Sequence, residues 1–199
     1  MTIEGDKSIP HVPVVAGEMG ERVLGHDWSD SCLGPIEQWS VSLRTTVSLM
    51  LHSRFPMILW WTDEYLCFYN DAYIPILGAK HPWGLGKPVS ECWSEIWHIL
   101  KPLIDSPFHG GPPTWMDDIC LILNRNNYKE ETHFTISYSP APDTTVGGGI
   151  GGVLATVIET TGQMINARAL ETLGKISSYV IGCQSEQDVL LQATRAIGE

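Results

Sequence analysis

Aromatic side chains beside one amide are the residues in this chain best suited to bind a small molecule. They fall in segments predicted as sheet or as helices packed on it: Tyr69, Asn70, Tyr73, Trp97, Phe134 and Tyr138. Aromatic rings suit planar or apolar ligands, and Asn70 would supply a polar anchor. Core packing is the simpler explanation for such rings, and an Asn in this position can instead cap a helix. Both interpretations stay open at this stage.

Tryptophan is abundant, with eight residues in 199. Five of them add to the case for an aromatic pocket: Trp60, Trp61, Trp93, Trp97 and Trp115.

Motifs for several other kinds of chemistry are absent. No Gly-x-Ser-x-Gly elbow or comparable nucleophile arrangement appears. The glycine run 147–152 precedes a predicted strand and lacks a following Lys-Ser/Thr pair, so it does not match a phosphate-binding loop. No two Cys or His residues have zinc-ligand spacing, which argues against a zinc site. Asp117 and Asp118 begin a predicted strand and should point to opposite faces, which argues against a shared carboxylate site.

The charge balance excludes two classes of partner. Twelve basic residues face 23 acidic ones, a formal charge of −11. Nucleic acids and anionic membranes both require a basic surface, so neither is expected as a partner. No apolar run approaches the ~20 residues of a membrane span, and the polar start of the chain lacks a signal-peptide core. The five cysteines form no CxxC pair, and we expect reduced, buried thiols in a cytoplasmic protein.

Two short apolar runs on either side of Thr62-Asp63-Glu64 predict the hairpin that organises the fold. Residues 56–62 should pair with 65–69, and Asn70 should cap a short helix that Pro75 limits. Trp60 and Trp61 are neighbours in one strand, so they should point to opposite faces, both of them covered.

The remaining elements follow from periodicity and from Gly and Pro positions. Leu43, Val47, Met50 and Leu51 mark one face of a helix over 40–52, which should cover the outer face of the sheet. Further predictions are an extended arm at 1–34, a helix at 88–100, loops at 105–114 and 140–152, and strands at 116–123, 131–139 and 152–159. The last strand should return beside 56–62 at the centre of an α+β, five-stranded antiparallel sheet.

Ten short sequence words between residues 33 and 161 resemble one family in combination. They are LGPIEQW at 33–39, SLRT at 42–45, SRFPM at 53–57, LWW at 59–61, YNDAY at 69–73, LG at 77–78, KHP at 80–82, ECWSEIW at 91–97, EETHFTISYSP at 130–140 and ETT at 159–161. Together they resemble the N-terminal PAS sensor of multidomain and hybrid histidine kinases. The resemblance implies a PAS-like domain over 35–161 that acts as a sensory input module in a two-component phosphorelay.

The resemblance also bears on cofactors and enzyme activity. Some PAS domains bind haem through a helix histidine, which makes His98 a candidate ligand; a surface histidine is the alternative. The flavin-adduct motif Asn-Cys-Arg-Phe-Leu-Gln is absent, and Cys67 and Cys92 fit buried structural thiols better. The chain contains no phosphoacceptor helix pair and no ATP-binding glycine boxes. Kinase activity is therefore implied only for a parent chain.

The tail, residues 162–199, is predicted to be helical, and it resembles the start of the GAF domain that often follows in such kinases. Leu170, Leu173, Ile176 and Val180 form an apolar stripe that suggests a homodimer, and a second helix should follow a capping box at 185–188. Glu159, Thr160 and Thr161 are the expected joint between sensor and effector. The expected partners are thus the downstream kinase and GAF domains. The functional alternative is a stand-alone ligand-binding protein or small enzyme that uses the aromatic cavity directly.

Overall fold

A five-stranded antiparallel sheet with strand order β2-β1-β5-β4-β3 forms the centre of the structure. The computed structural model describes residues 17–181. The strands are β1 (Met57–Trp61), β2 (Leu66–Tyr69), β3 (Thr114–Leu123), β4 (Glu130–Pro142) and β5 (Ile150–Glu159). The helices are α1 (Gly17–Gly25), α2 (Val41–His52), α3 (Ile74–Leu77), α4 (Val89–Cys92), α5 (Trp97–Phe108) and α6 (Thr161–Ile181). This arrangement confirms the PAS-like α+β fold class predicted from the sequence.

The predicted hairpin and central strand pair are confirmed. Trp60 lies opposite Cys67 in β2 and opposite Val153 in β5, so β1 is paired on both sides. Asn70 caps the 3₁₀ turn after β2, since its side chain accepts a hydrogen bond from the backbone N–H of Tyr73. The two apolar runs and the turn between them are local sequence signals, and they are sufficient to predict the pairing of β1 with β2.

Both faces of β1 are covered, as predicted. Trp60 is 2% exposed and Trp61 is 3% exposed. The ring of Trp61 lies over two glycines of β5, where a side chain on Gly151 would come within 2.3 Å of the ring and one on Gly152 within 2.5 Å. Trp61 therefore requires glycine at both positions, which explains why β5 starts within the glycine run.

Residues before β1 cover the outer face of the sheet. Helix α2 begins at Val41 with Ser40 as N-cap, and its predicted stripe is buried: Leu43, Val47, Met50 and Leu51. The ring of Trp28 stacks on Phe68 of β2 with centroids 4.9 Å apart, and Trp39 meets Phe68 edge-on at 5.5 Å. Phe68 is opposite Leu59 and so shares a face with Trp61. The outer face thus gains an aromatic layer.

The prediction of an extended arm over 1–34 is wrong for residues 17–25. Residues 17–25 form helix α1, in which Met19 and Val23 are buried. The Asp71 carboxylate accepts hydrogen bonds from the backbone N–H groups of Glu18 and Met19, at 3.0 and 2.7 Å. Asp71 lies far along the chain from α1. The N-cap is therefore a tertiary contact that local sequence does not reveal.

The region between β2 and β3 also differs from the prediction. The single helix expected over 88–100 is divided into α4 and α5, and α5 continues through Pro102 and Pro107 to Phe108. Proline weakens a helix interior, but here Leu100 and Ile104 are buried on one face of α5 and compensate. The expected loop at 105–114 is accordingly shorter.

Two cysteines are buried and two are not. Cys67 and Cys92 are buried as predicted, whereas Cys32 and Cys120 are exposed, so the expectation of buried thiols is wrong for these two. Cys183 lies outside the described residues. No helix within 17–181 is both long enough and apolar enough to cross a membrane.

Helix α6 belongs to a second unit that begins at Thr160. Along this helix Ile165, Leu170 and Leu173 are exposed, by 57%, 70% and 59%. The side chain of Val180, the predicted capping box at 185–188 and the second helix lie outside the part of the chain that the structure describes.

Candidate functional site

A small, almost wholly apolar cavity lies between the inner face of the sheet and the helices packed on it. Its volume is about 30 Å³. The helix side contributes Tyr73, Ile76, Trp93, Ile96 and Leu100, and the strands contribute Trp60, Leu121, Leu123, Phe134, Ile136, Tyr138 and Val157. A space of this size holds about one or two water molecules, so a larger occupant requires displacement of the walls.

Two lining residues carry buried polar atoms that lack partners. Trp60 Nε1 and Tyr138 Oη have no hydrogen-bond partner among the described residues. Their rings stack with centroids 5.8 Å apart and planes 17° apart. The thiol of Cys67, opposite Trp60 in the sheet, is near the indole N–H but is at most a weak acceptor and makes no hydrogen bond of normal geometry with it. A buried donor without a partner costs about 1–3 kcal/mol.

The cavity is suited to binding and not to proton transfer. Burial raises the pKa of the Tyr138 phenol well above its ordinary value, and burial does the same for Tyr73. Both phenols therefore remain neutral donors near neutral pH. Among the described lining residues none carries a carboxylate, an imidazole or a thiol.

Three of the six predicted pocket residues line the cavity: Tyr73, Phe134 and Tyr138. Asn70 does not. It is fully buried, and its amide nitrogen donates to the carbonyl oxygens of Met50, Ser53 and Phe55 at 2.8–3.1 Å. Its side-chain oxygen also accepts from the backbone of Met57 at 3.0 Å. Asn70 is thus a structural hub that serves as the predicted helix cap and does not line this cavity.

Tyr69 and Trp97 are likewise elsewhere. The Tyr69 hydroxyl lies 3.0 Å from His81 Nδ1, at the start of a chain of contacts that reaches Glu18 in α1. Trp97 is half-buried and meets Tyr65 edge-on, with centroids 6.0 Å apart. Neither ring lines the cavity.

His98 lies on the surface, which matches the alternative to a haem ligand given in the sequence analysis. It is exposed in the first turn of α5 and is not among the cavity-lining residues. A cavity that holds one or two water molecules is also far smaller than a haem group. His98 and the residues that line the cavity therefore do not fit a haem site.

Trp60 and Tyr138 are the two hydrogen-bond donors that distinguish the cavity. The sequence did not indicate that they would lie together there. Strand alternation showed that Trp60 would be buried, but the lack of a partner for its indole N–H follows from tertiary packing. Trp93 is also a lining residue, and Lys80 Nζ lies 4.1 Å from the centroid of its ring. Such a cation over a Trp face holds the ring in place.

The predicted joint begins at a half-buried ion pair. Arg125, just after β3, donates to both carboxylate oxygens of Glu159 at 2.8 Å and to Glu130 at 3.1 Å. The two carboxylates raise the pKa of the Arg125 guanidinium. Paired charges with this two-pronged geometry are strong and directional. Glu159 thus anchors the end of β5, while Thr160 and Thr161 begin the second unit.

Comparisons with known proteins give structural neighbours only. No model of a protein family matches the chain, and no curated protein matches it. The PAS domain of Bordetella pertussis BvgS is 20% identical, with 66% of this chain and 96% of that one covered and a TM-score of 0.41.

Two further solved structures are similar at lower identity. The Rhodobacter sphaeroides LOV protein is 12% identical over 79% of this chain and 90% of that one, with a TM-score of 0.47. A sensory box sensor histidine kinase from Vibrio cholerae is 16% identical over 59% and 87%, with a TM-score of 0.38. Because all three TM-scores lie below 0.5, the fold assignment rests on the strand order and helix positions described above.

Proposed function

We propose that this chain is a PAS-type sensory input module that binds a small, mostly apolar molecule carrying a hydrogen-bond acceptor. The observation that carries the proposal is the pair of buried donors without partners, Trp60 Nε1 and Tyr138 Oη, on the wall of an apolar cavity. An acceptor on the ligand would remove the cost of both, while its apolar body would contact Phe134, Leu121 and Trp93.

The small volume of the cavity couples binding to a change of conformation. A ligand larger than one or two water molecules enters only if the helix side moves away from the sheet. The sheet side is fixed by strand pairing, so Tyr73, Ile76, Trp93 and Leu100 are the walls that shift. A ligand that favours the expanded packing changes the balance between two states, which is the requirement for a sensor.

Thermal unfolding in the presence of acetophenone, with cumene as the matched hydrocarbon, tests the binding chemistry. The two molecules have nearly the same shape, but only acetophenone has an acceptor. We expect acetophenone to raise the melting temperature and cumene to raise it less. At a concentration of 100 times Kd the stabilisation is about 2.7 kcal/mol. Equal shifts for both compounds would mean that the donors play no part in binding.

We further propose that the output passes through Glu159, Thr160 and Thr161 into α6, and from there to the kinase and GAF domains of a parent two-component protein. The sequence words at 33–161 support this placement. So does the Arg125–Glu159 ion pair, which ties the last strand to the turn after β3. A shift in the inner face can therefore reach the end of β5.

The exposed apolar side chains of α6 predict self-association. Ile165, Leu170 and Leu173 would be covered in a parallel two-helix dimer. Sedimentation of residues 1–199 should give a dimer at tens of micromolar, while residues 1–161 should give a monomer. Leu173→Glu should remove the dimer, with Glu171→Gln as a control on the same helix. Monomers for both chain lengths would exclude α6-mediated association.

A further inference from the structure

Three side chains with different metal-binding groups meet on the outer face of β3 and β4. The thiol of Cys120, a carboxylate oxygen of Glu131 and a ring nitrogen of His133 all lie within 4.8 Å of one another. We propose that these three residues bind a divalent cation of the zinc type, with water as the fourth ligand.

The sheet itself sets this geometry. Cys120 lies directly opposite His133 in the antiparallel pair, and Glu131 is two residues before His133 on the same strand. Residues opposite each other, and residues two apart, share one face of a sheet. The three donors are therefore held together by backbone hydrogen bonds, not by a mobile loop.

The imidazole of His133 is already oriented as a metal ligand. Its side chain is 5% exposed, with Nδ1 3.2 Å from Asp118 Oδ1 and Nε2 3.1 Å from Glu131 Oε1. A neutral imidazole has one N–H, and a proton on Nδ1, the nitrogen that faces Asp118, would leave the lone pair of Nε2 directed toward the Glu131 carboxylate. Metal-bound histidines usually donate their second ring nitrogen to a carboxylate in this way.

The separation between Nε2 and Oε1 also suits a shared ion. Two ligands about 2.0–2.1 Å from one tetrahedral zinc ion lie about 3.3 Å apart. The observed 3.1 Å is close to that value. Without a metal, the lone pair of Nε2 faces the negatively charged carboxylate. A bound cation would instead form one coordination bond with each of the two atoms.

A β-bulge places Asp118 behind the histidine. The register of β3 shifts between Met116 and Ile119, and Asp118 has a φ of 50°. Asp and Asn adopt this left-handed conformation more readily than most residues. The bulge thus changes the direction of the Asp118 carboxylate from the one that regular strand alternation would give. Asp118 acts as a positioning residue for His133.

The donor set selects among metals. One thiolate, one imidazole and one carboxylate favour Zn²⁺ or Co²⁺, while Mg²⁺ and Ca²⁺ prefer oxygen ligands alone. The competing arrangement is an imidazolium held between Asp118 and Glu131 without any metal.

Titration with Co²⁺ separates these two arrangements, because a thiolate bound to Co²⁺ gives a charge-transfer band in the near ultraviolet. The protein should carry Cys32→Ser and Cys183→Ser, which leaves Cys120 as the exposed thiol among the described cysteines. We expect one Co²⁺ per chain, visible bands of a tetrahedral site, and displacement by one equivalent of Zn²⁺. No charge-transfer band, or one that is unchanged in Cys120→Ser, would overturn the proposal.

A matched pair of variants tests whether Asp118 supports metal binding through its contact with His133. Asp118→Asn keeps the shape and tolerates the positive φ, and it should weaken Co²⁺ binding by about 10–100-fold. Asp117→Asn changes the neighbouring carboxylate, which accepts a hydrogen bond from Thr135 at 3.1 Å and does not contact the histidine in the described contacts. It should leave the affinity unchanged. Equal affinities for the two variants would remove Asp118 from the site, and circular dichroism of each variant checks that the sheet is intact.

Discussion

Asn70→Ala is expected to lower the free energy of unfolding by about 3–5 kcal/mol. Its side chain joins three chain segments through hydrogen bonds to the backbone of Met50, Ser53, Phe55, Met57 and Tyr73. Alanine would leave these groups buried without partners, and water cannot easily replace an amide at a site that is 0% exposed. Urea unfolding followed by tryptophan fluorescence measures the loss.

Asn124→Ala is the matched control, because Asn124 is exposed after β3. It should change stability by less than about 0.5 kcal/mol. Asn70→Asp is a more specific variant. It keeps the accepting oxygen but places a carboxylate against three carbonyl oxygens, so it should also be strongly destabilising. An Asn70→Ala protein as stable as the parent would contradict the role of Asn70 as a hub.

Trp61→Ser should lower the free energy of unfolding by about 3–5 kcal/mol, the usual range for removing a buried aromatic ring. The ring is 3% exposed and fills the space above Gly151 and Gly152. No smaller side chain can occupy that space, since both neighbours lack side chains, and a cavity would remain.

Trp83→Ser is the control for Trp61, because Trp83 is 50% exposed. Its replacement should cost less than about 1 kcal/mol. If Trp61→Ser unfolded at the same urea concentration as Trp83→Ser, the outer face of β1 would not be packed as described.

Local signals in the sequence were sufficient for most of the fold. The stripe of α2, from Leu43 to Leu51, appears at helical spacing, and Asn70 follows a strand where a cap is needed. The pairing of β1 with β5 followed from the order of the strand signals. Helix α1 was missed because its N-cap is the carboxylate of Asp71, which is distant in sequence. Short helices with several glycines depend on such tertiary contacts.

The sites were harder to predict, because they depend on contacts between strands. Periodicity shows that Trp60 and Tyr138 are buried, but it cannot show that their polar atoms lack partners. Cys120 and His133 are 13 positions apart, a spacing that matches no zinc motif, and only the register of β3 and β4 brings them together. The bulge at Asp118 likewise has no signal in the sequence pattern.

Replacement of Tyr138 by Phe tests the central claim most directly, through two effects of opposite sign. Without ligand, Tyr138→Phe should be about 1 kcal/mol more stable than the parent, because it removes a buried hydroxyl without a partner. Its stabilisation by acetophenone should be smaller than that of the parent. Tyr65→Phe is the control, since the Tyr65 hydroxyl donates to Asp105 at 2.7 Å, and its removal should destabilise the protein and leave the acetophenone response unchanged. A Tyr138→Phe protein that is less stable than the parent, or that responds equally to acetophenone, would contradict a ligand-binding role for the cavity.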